Sequence, residues 1–68
     1  MISDSAVNIN TANETELEKL PHIGPGTARE IIEHRKRFGK FRKPEHLLLI
    51  RRISDKKFRE ISHLIKVE

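Results

Sequence analysis

The sequence predicts a small all-α domain built from two copies of one helix-turn-helix unit, about four helices plus a connector. Three features of its 68 residues carry that expectation. Apolar residues recur three and four positions apart, the helical period, between short breaks marked by Pro and Gly. The chain matches itself at an offset of 30 residues: Leu17 falls on Leu47, Leu20 on Ile50, Ile23 on Ile53, Ala28 on Phe58, and Arg29-Glu30-Ile31 on Arg59-Glu60-Ile61. Two copies are too few for an open solenoid, so each should lend the other its apolar face in one closed domain. Cysteine is absent, which leaves a packed core as the source of stability.

Each element has a local reason. Residues 1–6 are expected to be disordered and 7–68 to form the domain, with repeat one over about 11–39 and repeat two over about 41–66. Residues 7–10 form a short extended lead-in, and Thr11-Ala12-Asn13-Glu14 has the form of a capping box that starts a helix from about 12 to 19. Pro21 ends it. The second helix runs from Pro25, suited to a first helical turn, to about Phe38, with Ala28, Ile31, Ile32 and the stem of Arg35 facing inward and Gly39 as the stop. Pro44 opens a third helix to about Leu49. Ser54 caps a fourth, from 55 to about 65, whose apolar stripe is Phe58, Ile61, Leu64 and Ile65. The expected core is Leu17, Leu20, Ile23, Ala28, Ile31, Phe38, Phe41, Leu47, Leu48, Ile50, Ile53, Phe58, Ile61 and Leu64. Each large apolar side chain buried there contributes roughly 1.5 to 3 kcal/mol.

Between the first two helices stands Leu20-Pro21-His22-Ile23-Gly24-Pro25-Gly26-Thr27-Ala28, a tight turn that leads into a helix start. Gly24 lets a ligand approach the backbone, and the N–H groups of Gly26, Thr27 and Ala28 are expected to lack a carbonyl one turn back. Open donors at the positive end of a helix dipole bind phosphate or sulfate. Charge is lopsided in the same sense. Residues 1–30 carry two bases against five acids, net −3, whereas residues 31–68 carry 12 bases against five acids, net +7. Arg35, Lys36, Arg37, Lys40, Arg42 and Lys43 make one basic cluster; Arg51, Arg52, Lys56, Lys57 and Arg59 make another. Such clusters concentrate polyanions.

Other chemistry is poorly supplied. A domain of this size buries only about 60% of the surface its unfolded chain exposes, too little for a deep catalytic pocket, so an enzyme is not expected. No serine sits on a strained elbow beside a base. His22, His34, His46 and His63 are spread too evenly for a metal site. Glu60-Ile61-Ser62-His63 has a di-iron spacing, but such sites need a second Glu-x-x-His and further glutamates. The aligned Glu30-Ile31-Ile32-Glu33 supplies only a partial set, so Glu60 and His63 are expected to be exposed helix residues. Phe38, Phe41 and Phe58 fall at core positions, which leaves no aromatic residue to stack on bases, since Trp and Tyr are absent. No apolar run can span a bilayer, and Met1-Ile2-Ser3-Asp4-Ser5 lacks the regions of a signal peptide, so no membrane contact is expected. The length suits a free-standing chain or one domain of a longer protein.

Val7-Asn8-Ile9-Asn10-Thr11-Ala12, Glu16-Leu17, the turn from Leu20 to Ala28, Ile31-Ile32-Glu33-His34-Arg35 and Gly39-Lys40-Phe41 together resemble the helix-hairpin-helix domain of the ComEA family. The likeness covers the chain from Val7 to about Ile65. It implies a tandem helix-hairpin-helix fold of SAM-like architecture that binds double-stranded DNA without reading sequence, largely through hairpin amides on phosphates. It also implies competence, DNA-uptake or DNA-processing roles: an extracytoplasmic location in an uptake receptor, an intracellular one otherwise. Turn carbonyls in related hairpins can hold a monovalent cation, and the matching carbonyls belong to Glu18, Leu20 and Ile23; no other metal or cofactor is expected.

The sequence departs from that pattern at two places. The family's first hairpin glycine is His22 here, a residue that tolerates positive φ better than most. In the second hairpin, Ile50-Arg51-Arg52-Ile53-Ser54, both glycines are gone. Two expectations follow for this hairpin: side chains replace amides, with Ser54 capping the helix and its hydroxyl available to phosphate, or the second repeat is simply structural. The expected DNA contacts are His22, Gly24, Gly26, Thr27 and Arg29 in repeat one, and Arg51, Arg52, Ser54, Lys56 and Lys57 in repeat two. The alternative is a protein-interaction or structural module of a larger assembly, for which the basic second half has no evident use.

Overall fold

The computed structural model describes residues 6–68. The chain runs β1 (Val7–Asn8), α1 (Glu14–Glu18), α2 (Pro25–Phe38), a 3₁₀ helix (Pro44–Leu49), α3 (Asp55–Ile61), a 3₁₀ turn (Ser62–Leu64) and β2 (Ile65–Lys66). This is the expected all-α domain of four helical segments, with one short strand pair added. The disorder expected over residues 1–6 falls on a segment of which 1–5 lie outside the described residues.

The first helix starts two residues later than the sequence suggests. The N–H groups of Thr11 and Ala12 donate to the Asn8 carbonyl at 3.1 and 2.8 Å, which holds the chain in a turn through Ala12. Asn13 then becomes the cap. Its side chain accepts from the Glu16 N–H at 2.8 Å while Glu16 accepts from the Asn13 N–H at 3.0 Å, a complete capping box. Helix α2 has the expected bounds, and Gly39 ends it at φ 87, in the left-handed region where glycine carries no Cβ penalty.

Repeat two deviates more. Pro44–Leu49 closes as 3₁₀ rather than α, so residues three apart share a face. Leu47 and Ile50 are buried accordingly, while Leu48 and Leu49 turn outward at 38% and 70% exposure. Leu48 therefore leaves the expected core. So does Phe38, 69% exposed at the last turn of α2, where the second repeat approaches only as the open wall of a cleft. Helix α3 stops at Ile61 instead of about 65. Its final residues are claimed by a parallel pairing of Ile65 with Val7 and Lys66 with Asn8, extended by the Ile9 N–H to the Lys66 carbonyl at 3.1 Å.

The core lies between the two repeats. Leu17, Ile31, Leu47 and Ile61 are fully buried and fall into two pairs at the 30-residue offset. Phe58 and Leu64 pack against this cluster half-buried, and Ile9, Ala12 and Ile65 join it from the chain ends. Asn10 locks those ends together. Its amide accepts from the Phe41 N–H at 2.7 Å and donates to the carbonyls of Phe41 and Glu68 at 3.0 and 3.2 Å. The Arg35 guanidinium donates to the Ile9 carbonyl at 2.9 Å, so this member of the first basic cluster is engaged in the fold.

Candidate nucleic-acid interface

The two turns share one backbone plan despite different sequences. In the first, the N–H groups of Leu20, Ile23 and Ala28 donate to the carbonyls of Leu17, Leu20 and Gly24 at 3.1, 3.2 and 2.9 Å. In the second, Ile50, Ile53 and Phe58 donate to Leu47, Ile50 and Ser54 at 3.0, 3.0 and 2.9 Å. Every donor and acceptor is displaced by 30 residues. Both turns are anchored by buried pairs, Leu20 with Ile23 and Ile50 with Ile53, and both following helices start from an extended cap residue, Gly24 or Ser54.

The first turn places His22 at φ 67, a left-handed conformation that the turn imposes and that glycine would adopt at less cost. Gly24 needs no such freedom. Its φ is −95, and an added Cβ would meet nothing within 4 Å, so the fold itself does not require glycine there. No side chain caps α2. The N–H groups of Gly24, Gly26 and Thr27 have no hydrogen-bond acceptor among the described residues, whereas that of Ala28 is taken by the Gly24 carbonyl. The expectation of an open donor at Ala28 is corrected accordingly: it is the fifth residue counted from Gly24, and its bond closes the first helical turn. Thr27 is buried, which leaves its backbone N–H as its contribution.

The second turn is built differently at its surface. Ser54 Oγ accepts from the Lys57 N–H at 3.3 Å, so this helix start is already capped. Lys57 Nζ donates to the Arg52 carbonyl at 3.4 Å and braces the turn. Arg51 and Lys56 are exposed and have no acidic partner within 4 Å among the described residues.

Three of the expected contacts, two arginines and a histidine, are held by glutamates. Arg29 Nε lies 3.5 Å from Glu14, Arg52 Nε lies 3.4 Å from Glu30, and His22 Nε2 pairs with Glu60. The last two cross between repeats. Arg52 also brings the two turns into contact, because a Cβ built on Gly26 would lie 2.5 Å from its Nη1. The fold thus gathers the Gly26 backbone, Arg52 and Glu30 at one place, with His22 and Glu60 as the pair related to Arg52 and Glu30 by the 30-residue offset. Sequence reasoning missed both glutamates; the signal was present in the aligned Arg29-Glu30-Ile31 and Arg59-Glu60-Ile61 triplets. The Leu20 carbonyl, one of three suggested for a cation, accepts from Ile23 and keeps one lone pair.

Paired turns of this kind, one ending in open backbone donors and the other carrying free cations, define a tandem-hairpin helical domain suited to a polyanion. The model of the helix-hairpin-helix motif family matches residues 3–66, and the chain belongs to that family. It is 37% identical over 62 residues to ComE operon protein 1 of Bacillus subtilis (strain 168), covering 91% of this chain and 30% of the relative, in line with the resemblance read from the sequence. It is 36% identical over 67 residues to the human endonuclease/exonuclease/phosphatase family domain-containing protein 1, covering 98% of this chain and 12% of that protein. The Danio rerio protein of the same name is 42% identical over 50 residues, 74% of this chain and 9% of its own length. The chain therefore spans a small part of each relative. Among the described residues, no helix is long and apolar enough to cross a membrane.

Proposed function

We propose that this domain binds double-stranded DNA without reading its sequence, one strand's phosphate meeting the first turn and a phosphate of the other strand meeting the second. Membership of the helix-hairpin-helix family supports nucleic-acid binding in general. The observation that carries the finer reading is the conserved backbone plan of the two turns, with the N–H groups of Gly24, Gly26 and Thr27 left without acceptors in one of them. Amides and cations on phosphates fix position but carry no sequence information. Arg51 and Lys56 supply charge at the second turn, with Ser54's hydroxyl and Lys57 beside them. Arg29 and Arg52 add theirs to the extent that phosphate displaces their glutamates, and His22 then offers its ring N–H as a hydrogen-bond donor.

The domain acts as a handle and not as a catalyst. The human relative named as an endonuclease/exonuclease/phosphatase family domain-containing protein aligns with it over about an eighth of its length, which fits a module that brings nucleic acid to chemistry performed elsewhere. A labelled duplex of arbitrary sequence tests the reading. If roughly four phosphates are neutralised, the log–log salt slope should be about −4, with dissociation constants of about 10⁻⁴ to 10⁻⁶ M at physiological salt. A second reading, a structural or protein-binding module, is favoured by the internal pairing of His22, Arg29 and Arg52. Such a module would show partner binding with little salt dependence and no duplex binding at low salt.

A further inference from the structure

Phe38 is the residue that the fold and the hairpin reading leave unexplained. It is 69% exposed at the end of α2 and forms the open end of an aromatic series: buried Phe41 stacks on His34 with centroids 4.9 Å apart and planes 11° apart, and His34 meets Phe38 at 4.8 Å and 49°. Beside it lies a shallow cleft of about 380 Å³ lined by Glu33, His34, Arg37, Phe38, Ile50 and Arg51. Glu30 also borders it, with its carboxylate held by Arg52. The cleft therefore offers an apolar aromatic wall, two arginines and one exposed carboxylate, Glu33, without an ion-pair partner among the described residues.

We propose that this cleft accepts one unpaired nucleotide next to the second hairpin. A nucleotide complements all three features at once. Its base presents a π-face to Phe38, the exocyclic amine of adenine, cytosine or guanine can donate to Glu33, and its phosphate suits Arg37 and Arg51. Arg51 belongs to the hairpin proposed to meet the duplex, so a base displaced from a bulge or gap in that duplex lies within reach of the cleft. The inference rests on the duplex-binding reading and adds to it a preference for DNA that carries an unstacked base.

The test uses the full 68-residue chain and fluorescence anisotropy with a blunt duplex and the same duplex carrying one unpaired adenine. The wild type should bind the bulged duplex about 5- to 150-fold more tightly, the range expected for one stacked base. Phe38→Ala should bring bulged binding down to the blunt level and leave blunt binding unchanged, while Phe38→Tyr should keep the preference. With 2-aminopurine at the bulge, emission should change on binding to the wild type and not to Phe38→Ala. Equal affinity of the wild type for both duplexes overturns the inference, as does a preference that survives Phe38→Ala; self-association through Phe38 in either case would assign this face to a protein contact. A wild type that binds the bulge but not the blunt duplex sinks the duplex reading and leaves the nucleotide site standing.

Discussion

Glu60 in the second repeat reaches back to His22 in the first hairpin, and 30 residues earlier Glu30 makes the same reach to Arg52. The fold crosses its two repeats through these pairs, each joining the second position of one hairpin to the helix of the other. The His22 and Glu60 side chains are 43% and 42% exposed, so solvent screens their attraction and the pair contributes at most about 1 kcal/mol to stability. Its larger effect is on the field in front of the hairpins. Glu60→Gln should leave the melting temperature nearly unchanged and raise duplex affinity roughly two- to fivefold at low salt, because one negative charge leaves the phosphate-facing side. A fall in affinity without loss of stability would instead make Glu60 a positioning residue for His22.

Gly24 separates folding from binding. Its backbone is extended and its surroundings are open. Gly24→Ala should change unfolding free energy by no more than about 1 kcal/mol. Alanine keeps the N–H, but its Cβ would obstruct the close approach of phosphate to the backbone, so duplex affinity should fall roughly tenfold, the scale of one hydrogen bond to a charged group. Denaturant unfolding and anisotropy on the same sample check both halves.

At the second hairpin the contribution is charge. Lys56→Glu with Lys57→Glu should weaken duplex binding by at least about tenfold at low salt and make the log–log salt slope shallower by about one to two units. Ser54→Ala removes the cap on the Lys57 N–H and should cost about 1 kcal/mol of stability. A loss of stability in the lysine pair that parallels the loss of binding would show that the brace from Lys57 to the Arg52 carbonyl, and not charge on phosphate, accounts for the effect.

The core and the end clasp make a stability prediction. Leu47→Ala removes a fully buried side chain and should destabilise by about 2 to 5 kcal/mol. Asn10→Ala breaks the bonds to Phe41 and Glu68 and should cost about 2 to 3 kcal/mol. Chemical denaturation measures both, and an Asn10→Ala variant as stable as wild type would mean that the strand pair alone holds the chain ends.

Much of this architecture was legible in the sequence because local signals and the repeat agreed. Pro25 and Gly39 bracket α2, and the pairs Leu17/Leu47, Leu20/Ile50 and Ile23/Ile53 are buried as their alignment implies. Long-range competition decided the rest. The claim of β2 on Ile65 shortened α3, and the Asn8 carbonyl delayed α1. Phe38 carries an apolar signature at helical spacing, yet burial depends on how closely its neighbours pack, and Ile50 and Arg51 face it only across an open cleft. For the candidate site, glycine turns and cationic clusters were readable by type. Which cations are already paired was not, since Glu14, Glu30 and Glu60 meet Arg29, Arg52 and His22 only after the repeats pack.

The most direct test of the central claim is the affinity of the domain for one unrelated-sequence duplex, measured across a salt series with wild type, Gly24→Ala and the Lys56/Lys57 charge reversal. Binding that falls steeply with salt, weakens in both variants and differs little between duplex sequences is the predicted result. No binding by the folded wild type at low salt would contradict it.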